Sequence, residues 1–121
     1  MQNLKKWLPA FIVMGLIFLL SAIEGPVIDQ TGLGKESYHL NGHFIVYFLL
    51  GLAYYKATKD FILSVELALL YGTVDEIHQI LVPGRSWETV DMLVDLSGAT
   101  VANILIWKNL LPKKLKNWLE N

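Results

Sequence analysis

Hydrophobic residues along this chain gather into four long runs separated by short polar stretches. The first extends from about Leu8 to Ile23 and the second from His43, or slightly earlier, to Ala57. The third covers Phe61–Val82, and the fourth runs from about Val90 to Leu111. Crossing a hydrocarbon core of ~30 Å takes on the order of 20 helical residues, so the third and fourth runs suffice outright. The first two must extend into their flanks. The pattern predicts an all-α, four-transmembrane-helix integral membrane bundle, a single domain over residues 1–121.

Composition agrees with that pattern. At 54% hydrophobic and 17% charged, the 121-residue chain is too apolar for an ordinary soluble fold of its size. It has no cysteine, so no disulfide staples it and no thiol can act as nucleophile or metal ligand. No internal repeat and no basic stripe suited to nucleic acid is present, so nucleic acid is excluded as a partner.

The basic residues set the orientation. Lys5 and Lys6 precede the first run, Lys56 and Lys59 separate the second from the third, and Lys108, Lys113, Lys114 and Lys116 close the fourth. Only Lys35 and Arg85 fall in the two remaining connections. The positive-inside rule then places both termini in the cytoplasm and loops 24–42 and 83–89 outside. A competing reading of the start is a secretory signal ending near Leu20-Ser21-Ala22. Either reading leaves the other three spans unchanged. The lysine-rich tail after Pro112, with Trp118 and Leu119, suits an interfacial anchor on anionic headgroups.

Polar residues inside the runs are the informative exceptions. A charge at the centre of a membrane helix costs about 2.5–3.5 kcal/mol on insertion scales, so a chain keeps one only where it has a partner or a task. With the topology above, Asp75 and Asp95 lie at similar depth below the outer surface, and Asp91 stands one turn above Asp95. His43 enters the second span from the same side with Tyr47 one turn further in, and Arg85 belongs to the loop above. At i, i+3 and i+4, Asp75, His78 and Gln79 share a helix face, while Asp91, Asp95 and Gly98 form another stripe. Gly98, Ala99 and Ala102 are small enough to let a neighbouring helix approach closely.

These residues carry a resemblance. Asp75-Glu76-Ile77-His78-Gln79, then Pro83-Gly84-Arg85, then Asp91 and Gly98 resemble the signature of VanZ-like membrane proteins. The spacing His43-x-x-x-Tyr47-x-x-x-Gly51 is similar to that family's second-helix motif, and the match covers about residues 39 to 102. The resemblance implies a small bacterial envelope protein, whose namesake is associated with low-level resistance to the glycopeptide teicoplanin. Its polar positions carry over to His43, Tyr47, Asp75, Glu76, Gln79, Arg85, Asp91 and Gly98. Asp95 stands where an asparagine is expected, and His78 occupies a position that the pattern leaves free.

The chemistry leaves several readings open. A neutral histidine beside a carboxylate makes an acid–base pair, and an arginine above them suits a phosphate bidentately. That describes a site at the outer leaflet for a membrane lipid or a lipid-linked cell-wall precursor, binding it or acting on it as an enzyme. In the bland alternative Arg85 pairs with Asp91 or Glu88, Asp75 accepts from Tyr47 or His43, and the network only locks the helices together. Asp75, His78, Asp91, Asp95 and His43 offer ligands to a divalent cation, but the spacing matches no recognised metal motif and no cofactor is expected. Glu66, ~13 Å down the helix from Asp75, is expected to reach Lys56, Lys59 or another polar group rather than join the site. Trp7, Trp87, Trp107 and Trp118, together with Tyr54 and Tyr55, fit interfacial belts. Gly32-Leu33-Gly34-Lys35 lacks the spacing of a phosphate loop, and His39 is expected to be solvated.

Overall fold

The computed structural model describes residues 2–21, 36–81 and 89–121, which are helical with short connections. The helices are α1 (Gln2–Ser21), α2 (Glu36–Thr58), α3 (Phe61–Ile80), α4 (Thr89–Trp107) and α5 (Lys113–Glu120). The first four fall on the four hydrophobic runs, and their cross-contacts make them alternate in direction. Trp7 of α1 meets Tyr54 near the end of α2, and Phe18 meets His78 near the end of α3. Central to the bundle is α2, which packs against all four other helices.

Local chemistry explains the ends. Thr58 Oγ1 donates to the Tyr54 carbonyl at 2.9 Å, and Lys59 turns into the left-handed region with φ 55° while its N–H reaches the Tyr55 carbonyl at 2.7 Å. Asp60 then caps α3 by accepting from the Leu63 N–H at 3.0 Å. A left-handed residue followed by an aspartate N-cap reverses the chain within two residues. At the far end of α4, Asn109 adopts φ 59°, and Pro112, which has no N–H to offer the preceding turn, begins the next helix.

The second helix extends into its flank, as its short apolar run required: it begins at Glu36, so His43 sits two turns inside it. The fourth ends at Trp107 rather than Leu111, because the turn at Asn109 stops it. Val82 lies outside the described residues. Among those described, one helix is long and apolar enough to cross a membrane, Val90–Trp107 in α4. In α2 and α3, helices of 23 and 20 residues, histidines, acids, Lys56 and Asn41 interrupt the apolar sequence.

The tail is an ordered helix. Leu119 of α5 is buried with Leu52 and Ala102, and Leu115 and Leu111 pack around them. Lys56 donates to the Trp118 carbonyl at 2.5 Å and Lys59 donates to the Leu119 carbonyl, so two lysines satisfy the negative end of α5. Burial holds the Lys59 ammonium below its ordinary value, opposed by the pull of Glu120 and reinforced by Lys56 and Lys6. Glu66 is therefore not the partner of these lysines. It lies on the exposed face of α3, because two residues of helix turn it almost directly away from buried Ala68. Tyr54, expected in a belt, is buried against Trp7 instead, whereas Trp107 and Trp118 are exposed.

Candidate functional site

Three helices deliver polar side chains to one end of the bundle. His43 lies seven residues after the start of α2, Asp75 five before the end of α3, and Asp95 six after the start of α4. At about 1.5 Å per residue all three stand about 7–10 Å from the same end. His43 Nδ1 donates to Asp95 Oδ1 at 2.6 Å, and its Nε2 lies 3.9 Å from Asp91 Oδ2. Asp75, Glu76, Gln79, Asp91 and Asp95 are each at most 3% exposed. His43, Asp75, Glu76, Gln79 and Asp91 each make a further contact as well.

Four carboxylates in one buried end need compensating donors, and His43 is the base among the described residues that touches two of them. Arg85, Glu88, Lys35 and Trp87 lie outside the described residues, as does the side chain of His39, so the expected contacts of Arg85 with Asp91 or Glu88 fall outside as well. His43 pairs with Asp95. The Tyr47 ring lies parallel to that of His43, with centroids 6.4 Å apart, and is fully buried. Its hydroxyl and Asp95 Oδ2 have no hydrogen-bond partner among the described residues.

The shared face of Asp75, His78 and Gln79 divides. Asp75 and Gln79 point inward with Glu76, while the His78 ring stacks on Phe18 of α1 at 4.3 Å and 8°. Three residues of helix rotate His78 about 60° from Asp75, toward α1, whereas Glu76 rotates about 100° the other way, toward the interior. No cluster able to hold a metal ion occurs among the described residues.

The small residues set how closely the helices approach. A Cβ on Gly98 would lie 2.5 Å from the Phe44 carbonyl oxygen, and one on Gly51 would lie 2.9 Å from the Ala99 Cα and 3.2 Å from the Ala102 Cβ. The backbones of α2 and α4 thus touch at both glycines. Deeper in the bundle is a polar knot that the sequence reading missed. Ser64 Oγ donates to the Gly51 carbonyl at 2.9 Å, and Asn103 Nδ2 donates to Ser64 Oγ at 3.0 Å and to the Ala99 carbonyl at 2.9 Å. Its signal was the four-residue spacing of Ser64, Ala68, Gly72 and Glu76, which marks one inward face of small and polar residues.

The family model for VanZ/LLP1 matches residues 6–111, a span that takes in most of α1, all of α2 to α4 and every residue of this site. The chain belongs to the VanZ/LLP1 family. No curated protein and no solved structure matches it. Within this VanZ/LLP1 chain, the acidic pair Asp75-Glu76 and Gln79 of the motif share one buried face, and the motif's free position, His78, turns away from it.

Proposed function

We propose that this VanZ/LLP1 protein crosses the bacterial plasma membrane four times with both termini cytoplasmic. Its polar end opens to the outer leaflet, where it binds or shields the headgroup of a lipid-linked cell-wall component and so reduces the action of teicoplanin-type glycopeptides. The observation that carries this reading is an inverted distribution of polarity. Asp75, Glu76, Asp91 and Asp95 are buried, while Phe11 (51%), Leu16 (54%) and Leu70 (61%) are among many large apolar side chains left exposed. Water would select the opposite arrangement, and hydrocarbon favours this one. Arg85, in the connection between the two carboxylate-bearing helices, is the residue suited to a headgroup phosphate.

The topology has a direct test. Eight of the ten basic residues flank the proposed inner ends, so a cysteine at Lys114 should resist an impermeant thiol reagent in intact cells while one at Lys35 reacts. Labelling at position 114 would overturn the orientation. Function is tested by Asp75→Asn, which keeps shape and hydrogen bonding but removes the negative charge. The variant is expected to insert and stay helical yet to lose protection of a glycopeptide-susceptible cell; full protection would make the cluster scaffolding.

One observation favours a second reading, an intramembrane enzyme acting on the lipid-linked precursor. The 2.6 Å contact between His43 and Asp95 is the histidine–carboxylate arrangement of a general base. Turnover of a lipid-linked substrate by purified protein, abolished in His43→Gln, would establish it. His78→Gln is expected to leave either activity intact, since that ring packs on Phe18.

A further inference from the structure

Among the buried side-chain atoms that make no hydrogen bond to the described residues, two belong to side chains that meet at the same glycine. A Cβ built on Gly72 would stand 3.5 Å from Asp95 Oδ2 and 3.6 Å from Cε2 of Tyr47, the ring carbon next to the one that bears the hydroxyl. Tyr47 is fully buried and Asp95 is 2% exposed, yet Tyr47 Oη and Asp95 Oδ2 are without a hydrogen-bond partner. A buried hydroxyl and a buried carboxylate oxygen left so are costly, and native structures keep such atoms where water or a ligand completes them.

What completes them is limited by their chemistry. Asp95 Oδ2 needs a donor, and the hydrogen of the Tyr47 hydroxyl needs an acceptor. An ammonium group carries three donors and no acceptor, so it would leave the tyrosine hydrogen unmatched. A phosphate or carboxylate brings acceptors that face the Asp95 oxygen with like charge. A hydroxyl group donates once and accepts, which answers both atoms. We propose that the space at Gly72 is a seat for a hydroxyl group, and that the headgroup received by this end of the bundle is a sugar or similar polyhydroxylated group. The hydroxyl donates to Asp95 Oδ2 and accepts from Tyr47 Oη, while Asp95 Oδ1 keeps His43. This inference rests on the reading that the polar end takes an amphiphile, and it names the class of headgroup.

The test uses the full chain in micelles of a detergent without sugar, with n-octyl β-D-glucoside, n-octylammonium and n-octyl phosphate as probes and the melting midpoint as readout. The glucoside is expected to raise the midpoint of the wild type saturably, and the ammonium probe is expected not to. Two variants carry the assignment. In Gly72→Ala the new methyl meets only ordinary van der Waals contacts, so the protein should fold and lose the glucoside response because the room is taken. In Tyr47→Phe the unmatched hydroxyl is gone, so the protein without probe should melt at or above the wild type and also lose the response. No glucoside response in the wild type, as when only water fills the seat, overturns the proposal; so does a response that both variants retain. A response to octyl phosphate alone would sink the sugar assignment while leaving amphiphile binding standing, and silence to all three probes would remove both.

Discussion

Gly98→Ala is expected to destabilise the protein by about 1–3 kcal/mol, although alanine in a helix interior ordinarily gains ~0.5–1 kcal/mol over glycine. The reason is the identity of the obstacle. The added methyl would meet the Phe44 carbonyl oxygen at 2.5 Å and the Phe48 backbone nitrogen at 3.0 Å. Backbone atoms of a helix cannot rotate aside as a side-chain tip can, so α2 and α4 must separate. The effect should reach the site, because Gly98 lies one turn beyond Asp95 and Phe44 follows His43, the two ends of the 2.6 Å contact between these helices. Denaturant unfolding in micelles would measure the first loss, and cell protection the second. Gly15→Ala, which meets nothing within 4 Å, is the control and should be neutral or slightly stabilising. Equal stability of the two alanine variants would show that α2 and α4 are not packed through Gly98.

The same glycine shows what was legible in the chain. Hydrophobic run length located all four long helices, because apolar length is a local property and the charged ends bracket it. Small residues at four-residue spacing pointed to close packing for the same reason: a helix face can be read from one strip of sequence. Pairing was harder. Asp75, His78 and Gln79 looked like one face, yet a few tens of degrees of rotation, fixed by what α1 and α2 present, sent His78 to Phe18 and brought Glu76 inward. The Ser64–Asn103 contact joins residues 39 apart and depends on the depth at which two antiparallel helices meet, which no local pattern records. Glu66 illustrates the converse. Its depth on the third helix, toward the end that carries Lys56 and Lys59, suggested contact with them, but those lysines serve the carbonyl end of α5, a helix more than fifty residues further on.

The second large effect is an asymmetry between the partners of the α2–α4 contact. Replacing His43 by leucine should cost about 3–5 kcal/mol, the range found when a buried pair loses one member, because Asp95 would then be a buried carboxylate deprived of its donor. It would also keep the company of Asp91 and Asp75 with one fewer compensating group. Replacing Asp95 by leucine should cost less. It leaves an imidazole that can be neutral, is 12% exposed and still lies 3.9 Å from Asp91. With both positions leucine, no charge is stranded and packing is restored, so part of the His43→Leu loss should return; a double variant as unstable as the sum of the singles would mean the two side chains do not interact. If instead Asp95→Leu proves the costlier single change, the histidine is not what makes the carboxylate tolerable. The buried acids of this VanZ/LLP1 site would then be held by groups beyond α2, and Arg85→Gln would become the decisive variant.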